Sequence, residues 1–285
     1  MDIITNTTMF DIQFNDIPNI HYVDIEKPLL VYSCDSYRLY NAKYDNNPVS
    51  LKTFTCPSKN SIRQFIKELD LLRSLQSSEH VIKLYGYILD ISVPLCSLVV
   101  ENNYLTLRNF LDMEKDIDYA KKTRIIIDAA KGLNAMHTSY STPILHKNLT
   151  SESFYMTNNG VLKIGSGAYY NIYKRVNFMA YFDYDMLKDI FSNYTIKSEI
   201  YRFGIVIWEI ITRKIPFENM DYQGIYNMLI KENKGEYMPL DCPLELQCIV
   251  IACRNTNSIF RPSISAIIDF LETFYSNIIK NRNLK

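Results

Sequence analysis

Apolar and polar positions change rhythm near residue 105. Between residues 29 and 54, "LLVYSCDSYRLYNAKYDNNPVSLKTF", apolar and polar residues alternate on either side of the turn-forming run Asp45-Asn46-Asn47-Pro48. A period of two sends successive side chains to opposite faces, so this stretch predicts a hairpin or meander. In "SIRQFIKELDLLRSL", Ile62, Phe65, Ile66, Leu69 and Leu72 recur at steps of three and four, which predicts a helix with Ser61 as its N-cap. Two short apolar runs, "VIKLYGYIL" and "SLVVE", read as strands. Beyond residue 105 helical spacing dominates, in "LTLRNFLD", "AKKTRIIIDAAKGLNAMH", "SEIYRFGIVIWEIIT", "QGIYNMLIKE", "PLELQCIVIACR" and "ISAIIDFLETFYSNII". A small sheet with one helix, then a mostly helical half, is an α+β arrangement in two lobes. The predicted division is an irregular extension over 1–26, a sheet-bearing lobe over 27–104 and a helical lobe over 105–285.

The 285 residues leave room for one domain of two lobes. Lys+Arg and Asp+Glu both number 31, so no global field draws the chain to nucleic acid or to an anionic membrane, and neither partner is expected. The six cysteines, Cys34, Cys56, Cys96, Cys242, Cys248 and Cys253, form no C-x-x-C pair and no zinc-type spacing, so no metal is expected. The opening residues "MDIITNTTMFDIQFND" carry acids and no unbroken apolar core, unlike a secretory leader. The longest apolar run, "FGIVIWEII", is too short to span a bilayer. Reduced structural thiols in a cytoplasmic setting are the expectation. Few glycines (8), many tyrosines (22) and abundant Ile, Asn and Lys correspond to AT-rich codons, as in the genome of a parasite or large DNA virus.

Seven segments then fall in a telling order: "VSLK" at 49–52, "FIKELDLL", "EHVIKLYGY", "LVVE", "AAKGLNAMH", "KSEIYRFGIVIWEIITRKIPF" and "SIFRPSI". Together they resemble the landmarks of a protein kinase domain over about residues 27–275. The resemblance implies a two-lobed protein kinase-like fold. It makes Lys52 the nucleotide-site lysine, Glu68 its ion-pair partner and Val100 the gatekeeper before the hinge. It also implies a structural role for His146, a loop-tethering role for Glu199 and a strut at Arg261. Met186 stands where that strut's glutamate is expected, with Asp185 as a substitute. Phe217 and Trp208 read as core.

"ILHKNLTSESFY" occupies the place of the kinase catalytic loop. There Asn148 replaces the catalytic aspartate, and a neutral amide cannot take a proton from a substrate hydroxyl. Ser153 replaces the metal-binding asparagine. After "VLKI", "GSGA" stands where the second metal-binding aspartate belongs, so either Gly165 or Ser166 occupies its position without a carboxylate. No acidic residue lies between Glu152 and Asp183, and no glycine precedes Gly86 to form a phosphate loop. In that loop's place, "VYSCDSYRLY" offers Tyr32 and Tyr37 as fillers of the cleft. No catalytic residue and no cofactor is therefore expected; the residual Lys52–Glu68 pair is read as setting the position of the helix, with weak metal-independent contact to a nucleotide, or a solvated lysine and a helix-surface glutamate, as the other readings.

Within the kinases, "LHKNLTSESF", "YTIKSEIYRFGIVIWEIITRKIPF" and "DCPLELQCIV" resemble the pseudokinase domains of the mixed lineage kinase domain-like family. In that family an N-terminal four-helix bundle kills the cell in necroptosis, after phosphorylation by a receptor-interacting serine/threonine kinase. About 26 residues precede the first kinase-like strand here, too few for such a bundle. The resemblance therefore implies a decoy, of viral origin, in the host cytoplasm. It would bind the upstream kinase domain through Phe191, the counterpart of a family phenylalanine that inserts into that partner, and so inhibit necroptosis. Phe191 precedes the polar Ser192-Asn193 near a helix end; packing back as core is the other reading. A scaffold or nucleotide sensor in another pathway, and an atypical active kinase, are the competing functions.

Overall fold

The computed structural model describes residues 16–34, 37–54, 59–90, 95–102, 105–165 and 178–283. Ser166 and residues 1–15 of the predicted extension lie outside the described residues. The chain divides into two compact units, Met1–Gln76 with Lys83–Asn102, and Ser77–Ile82 with Asn103–Lys285.

In the first unit, β1 (Ile25–Ser33), β2 (Tyr37–Tyr44), β3 (Asn47–Phe54), β4 (Leu84–Asp90) and β5 (Leu95–Glu101) form a sheet in the order β1-β2-β3-β5-β4. Every neighbouring pair is antiparallel. The β2–β3 hairpin turns on two residues, Asp45 (φ 49) and Asn46 (φ 60). Positive φ at both central positions is the type I′ turn whose twist matches that of the flanking strands, and Asp and Asn tolerate it best after glycine.

Period-two alternation then sorts the side chains. Ile25, Ala42, Val49, Leu51, Ile88 and Val99 build one cluster together with Ile20 and the half-buried Tyr40, Tyr44 and Tyr85. The opposite face carries Tyr37, Leu39, Lys52, Phe54, Leu98 and Val100, and α1 (Lys59–Ser74) packs against β3, β4 and β5. Phe65 of α1 meets Phe54 and Tyr87 edge-on, with centroids 5.6 and 6.4 Å away. Because α1 begins at Lys59, Ser61 lies inside the helix and is not its N-cap.

Ahead of β1, a short segment crosses the outer edge of β4. Ile20 N–H donates to Tyr87 O (2.7 Å) and Tyr87 N–H to Pro18 O (3.0 Å). The contact requires glycine at position 86, where a Cβ would come within 2.6 Å of both Ile20 Cδ1 and Pro18 O.

The second unit contains α2 (Leu107–Met113), α3 (Tyr119–Thr138), β6 (Phe154–Met156), β7 (Leu162–Ile164), α4 (Tyr184–Lys188) and α5 (Ile196–Thr212). It continues with α6 (Tyr222–Tyr226), α7 (Leu244–Cys253) and α8 (Ile264–Asn283). Its axis is α5, in which every residue from Ser198 to Ile211 is buried. Thr195 and Ser198 cap its start reciprocally, and Arg213 in the left-handed region (φ 61) ends it. At Gly204 a Cβ would lie 2.7 Å from Cys253 Cβ, so glycine lets α7 pack closely on α5. Phe217 and Trp208 are core, the indole N–H donating to Tyr237 O at 3.2 Å. No helix among the described residues is long and apolar enough to cross a membrane.

Candidate functional site

The first unit holds the lysine and its partner. Lys52 Nζ donates to both carboxylate oxygens of Glu68, at 2.9 and 2.8 Å, joining β3 to α1. Neither side chain reaches solvent to any extent, at 0% and 4% exposure. Burial pulls the ammonium below its ordinary pKa, against the opposing attraction of Glu68. Two ring faces complete the enclosure, Tyr37 with its centroid 4.5 Å from Nζ and Phe54 at 5.2 Å. Val100 is fully buried on β5, opposite Ser50 of β3 and Leu84 of β4.

The second unit holds the altered loop. The Ser153 hydroxyl donates to Asn148 O (2.8 Å) and accepts Thr150 N–H (3.2 Å), while Ser153 O accepts Gly165 N–H (2.9 Å). Three positions singled out in the sequence, Asn148, Ser153 and Gly165, are thus stitched together by hydrogen bonds that close the loop on itself. Magnesium binds through carboxylate oxygens, and these residues supply none. Among the described residues no cluster of three or more His, Cys, Asp or Glu could hold a metal ion.

Helix α5 fastens the same loop from below. Glu199 accepts Lys147 N–H at Oε1 (2.6 Å) and pairs with His137 Nε2 at Oε2 (2.8 Å); the Tyr194 hydroxyl donates to Oε1 at 3.2 Å. Arg202 Nη1 donates to Lys147 O at 3.2 Å, and its guanidinium stacks on the Tyr194 ring at 5.0 Å. Both main-chain groups of Lys147 are therefore held by α5, which fixes its left-handed conformation (φ 65). His146 is buried and its pKa falls to about 4, chiefly because burial disfavours the imidazolium. It is a neutral packing residue at pH 7.

Arg261 lies next to α8 and is fully buried, as the sequence implies for a strut. Its partner is Asp183, with Nη1 to Oδ2 at 2.9 Å. The expected substitute, Asp185, is exposed on α4. Asp183 is the N-cap of α4, accepting Met186 N–H at 3.0 Å, and the two-residue step to Asp185, about half a helical turn, carries that side chain to the outer face.

Phe191 follows α4 and is 90% exposed, next to Ile190 at 66%. Asp189 Oδ1 accepts Phe191 N–H at 2.9 Å and Ser192 N–H donates to Asp189 O at 2.9 Å, so the turn bearing the ring is internally braced. Tyr222 of α6 donates its hydroxyl to Leu187 O at 2.6 Å, immediately before that turn.

Two groups escaped the sequence reading. Arg202 is one. Glu209 is the other, accepting from Arg108 Nη1 (2.9 Å), Ser151 Oγ (2.7 Å) and the Tyr181 hydroxyl. The available signal was a charge inside an otherwise apolar helix, since such a residue needs a partner.

A five-stranded antiparallel sheet with one helix, followed by a helical unit around α5 and a loop at Asn148–Ser153, defines a protein kinase-like α+β fold. The pattern of the family described as "Protein tyrosine and serine/threonine kinase" matches residues 31–271, and the chain belongs to that family. It is similar to the human mixed lineage kinase domain-like protein, 33% identical over 255 residues, which cover 83% of this chain and 54% of that protein. The mouse protein of the same name is 31% identical over 276 residues, 89% of this chain and 57% of its own length. A probable LIM domain-containing serine/threonine-protein kinase of Dictyostelium discoideum is 28% identical over 273 residues, 90% of this chain and 40% of that protein. The chain spans about half the length of its mixed lineage kinase domain-like relatives.

Proposed function

We propose that this chain is a catalytically inactive pseudokinase of the mixed lineage kinase domain-like type. In this reading it binds and sequesters the kinase domain of the receptor-interacting serine/threonine kinase of necroptosis, and so inhibits necroptotic death of the host cell. A viral protein acting in the host cytoplasm fits the reading. The observation that carries it is the hydrogen-bonded cluster of Asn148, Ser153 and Gly165, where a phosphotransferase needs a base and two metal ligands. The exposed, braced Phe191 supplies a means of acting by contact instead of by chemistry.

The intact Lys52–Glu68 pair favours a second reading, a nucleotide sensor in another pathway. Two measurements on one preparation separate the readings. Incubation with Mg·ATP and a generic protein substrate is expected to give no phosphate transfer. Mixing with the receptor-interacting kinase domain is expected to give a complex on gel filtration. Transfer abolished by Lys52→Met would overturn the inactive reading. A chain that binds ATP tightly and ignores the kinase domain would favour the sensor.

A further inference from the structure

We propose that Tyr37, backed by Tyr32, closes Lys52 to nucleotide phosphates and holds Glu68 on the lysine without any ligand. This goes beyond the partner-binding reading and does not depend on it.

A phosphate oxygen can use a lysine only by touching its ammonium. In the described structure Lys52 has no exposed surface. Glu68 takes one side with both oxygens, and the Tyr37 and Phe54 rings take two more. The register explains why these four groups converge. Tyr37 lies opposite Phe54 and Leu39 opposite Lys52 in the β2–β3 pair, so Tyr37 and Lys52 are diagonal neighbours on one face of the sheet. The π face of a ring is its negative side, so Tyr37 both fills space and supplies part of the favourable field that a phosphate would give.

Tyr37 cannot easily leave. It is 1% exposed, and the Tyr32 ring of β1 sits against it with centroids 5.7 Å apart. Its carbonyl accepts the Cys34 N–H at 3.0 Å and the Cys34 thiol at 3.4 Å, which ties down the entry to β2. Burial weakens the ammonium's hold on its proton, so a nearby negative ring face has real value to it. An arriving phosphate would have to swing the Tyr37 ring out, lose the cation–π contact and compete with Glu68.

The first test needs no variant. Native protein is acylated briefly with the N-hydroxysuccinimide ester of acetic acid, and lysine modification is read by mass spectrometry. Lys52 should react at least about tenfold more slowly than the exposed Lys188. Equal rates would overturn the enclosure. Tyr37→Leu keeps apolar bulk and loses the ring face, and should raise Lys52 acylation severalfold; Tyr37→Phe keeps the ring and should not. The second test titrates a fluorescent ATP analogue, with and without magnesium. The natural chain should show no saturable binding at millimolar analogue. Tyr37→Gly should gain saturable binding that Lys52→Met then removes. Lys52-dependent binding by the natural chain, or a folded Tyr37→Gly variant that binds nothing, would overturn the proposal. Should Tyr37→Gly fail to fold, the acylation rates of the natural, Leu and Phe proteins decide the matter.

Discussion

Arg261 and Asp183 form a salt bridge 2.9 Å long with both side chains sealed from solvent, at 0% and 1% exposure. The pair ties the residues before α8 to the first turn of α4. Arg261 Nη1 also donates to Lys197 O at 2.9 Å, and its Nε to Asn255 O at 2.9 Å, so one guanidinium gathers four parts of the unit. Removing one partner of such a pair leaves a buried charge uncompensated, at a cost of about 3–5 kcal/mol. Asp183→Ala should therefore lower the urea midpoint sharply, whereas Asp185→Ala should change stability by less than about 0.5 kcal/mol. Equal effects would show that the carboxylates share the role.

Phe191 has little to lose from the fold. At 90% exposure, truncation to alanine makes no cavity, so the melting temperature should stay nearly unchanged. If the ring is an interface anchor, the same change should weaken capture of the receptor-interacting kinase domain by about 2 kcal/mol or more, some thirtyfold. Surface plasmon resonance with matched thermal melts gives both numbers. Unchanged affinity would remove Phe191 from the interface.

Glu236 predicts a pH dependence with a definite sign. Burial pushes its carboxyl up to about 7, while the Phe217 N–H at 2.8 Å and Arg254, with Nη1 3.9 Å away, pull the other way; Glu209 adds to the rise and Lys214 opposes it. The folded form binds the proton more tightly than the unfolded one. Its stabilising contribution is thus complete below pH 4.5 and is lost as pH rises through about 7. Glu236→Gln keeps an acceptor for Phe217 and should flatten this part of the profile, gaining on the order of 1–3 kcal/mol over the natural chain at pH 8. Denaturant titrations at pH 5 and pH 8 would show it. A difference of opposite sign would mean that the carboxylate–Arg254 attraction dominates.

The segment from Gly167 to Phe191 contains neither serine nor threonine. A serine/threonine kinase that binds this chain has no acceptor there, so a phosphate-driven rearrangement is not available to it. After incubation with an active receptor-interacting kinase, mass spectrometry should find the segment unmodified. Stoichiometric phosphate on Ser166, at its edge, would overturn this expectation.

The long elements were legible in the sequence because they bury one face at a fixed period. The β2–β3 hairpin announced itself through Asp45-Asn46, and α1, α3, α5, α7 and α8 through apolar spacing. Short elements were not. Strands β6 and β7 have three residues each, too few to show alternation, and "QGIYNMLIKE" breaks into α6 and a π turn over Asn227–Lys231. Of the candidate site, the pairing of Lys52 with Glu68 follows from motif spacing alone, and the two side chains meet at 2.8 Å. Which acid meets Arg261 was not readable, since Asp183 and Asp185 differ only in which side of one helical turn they occupy. Arg202 looked like a polar residue in a core helix; its purpose shows only in its bond to Lys147 O.

The short crossing of residues 18–20 over β4 has a consequence for how this molecule behaves in a crowd. An unpaired sheet margin is a template onto which strands of other chains can add. At β4, Pro18 and Ile20 already use the Tyr87 amide and carbonyl. Among the described strands, the other margin is β1, where Pro28 has no N–H to offer and Lys27 is left-handed (φ 50). Two register shifts interrupt its pairing with β2. A sheet rich in tyrosine and branched residues is therefore blunted at both described margins, and the chain can accumulate without seeding its own fibres.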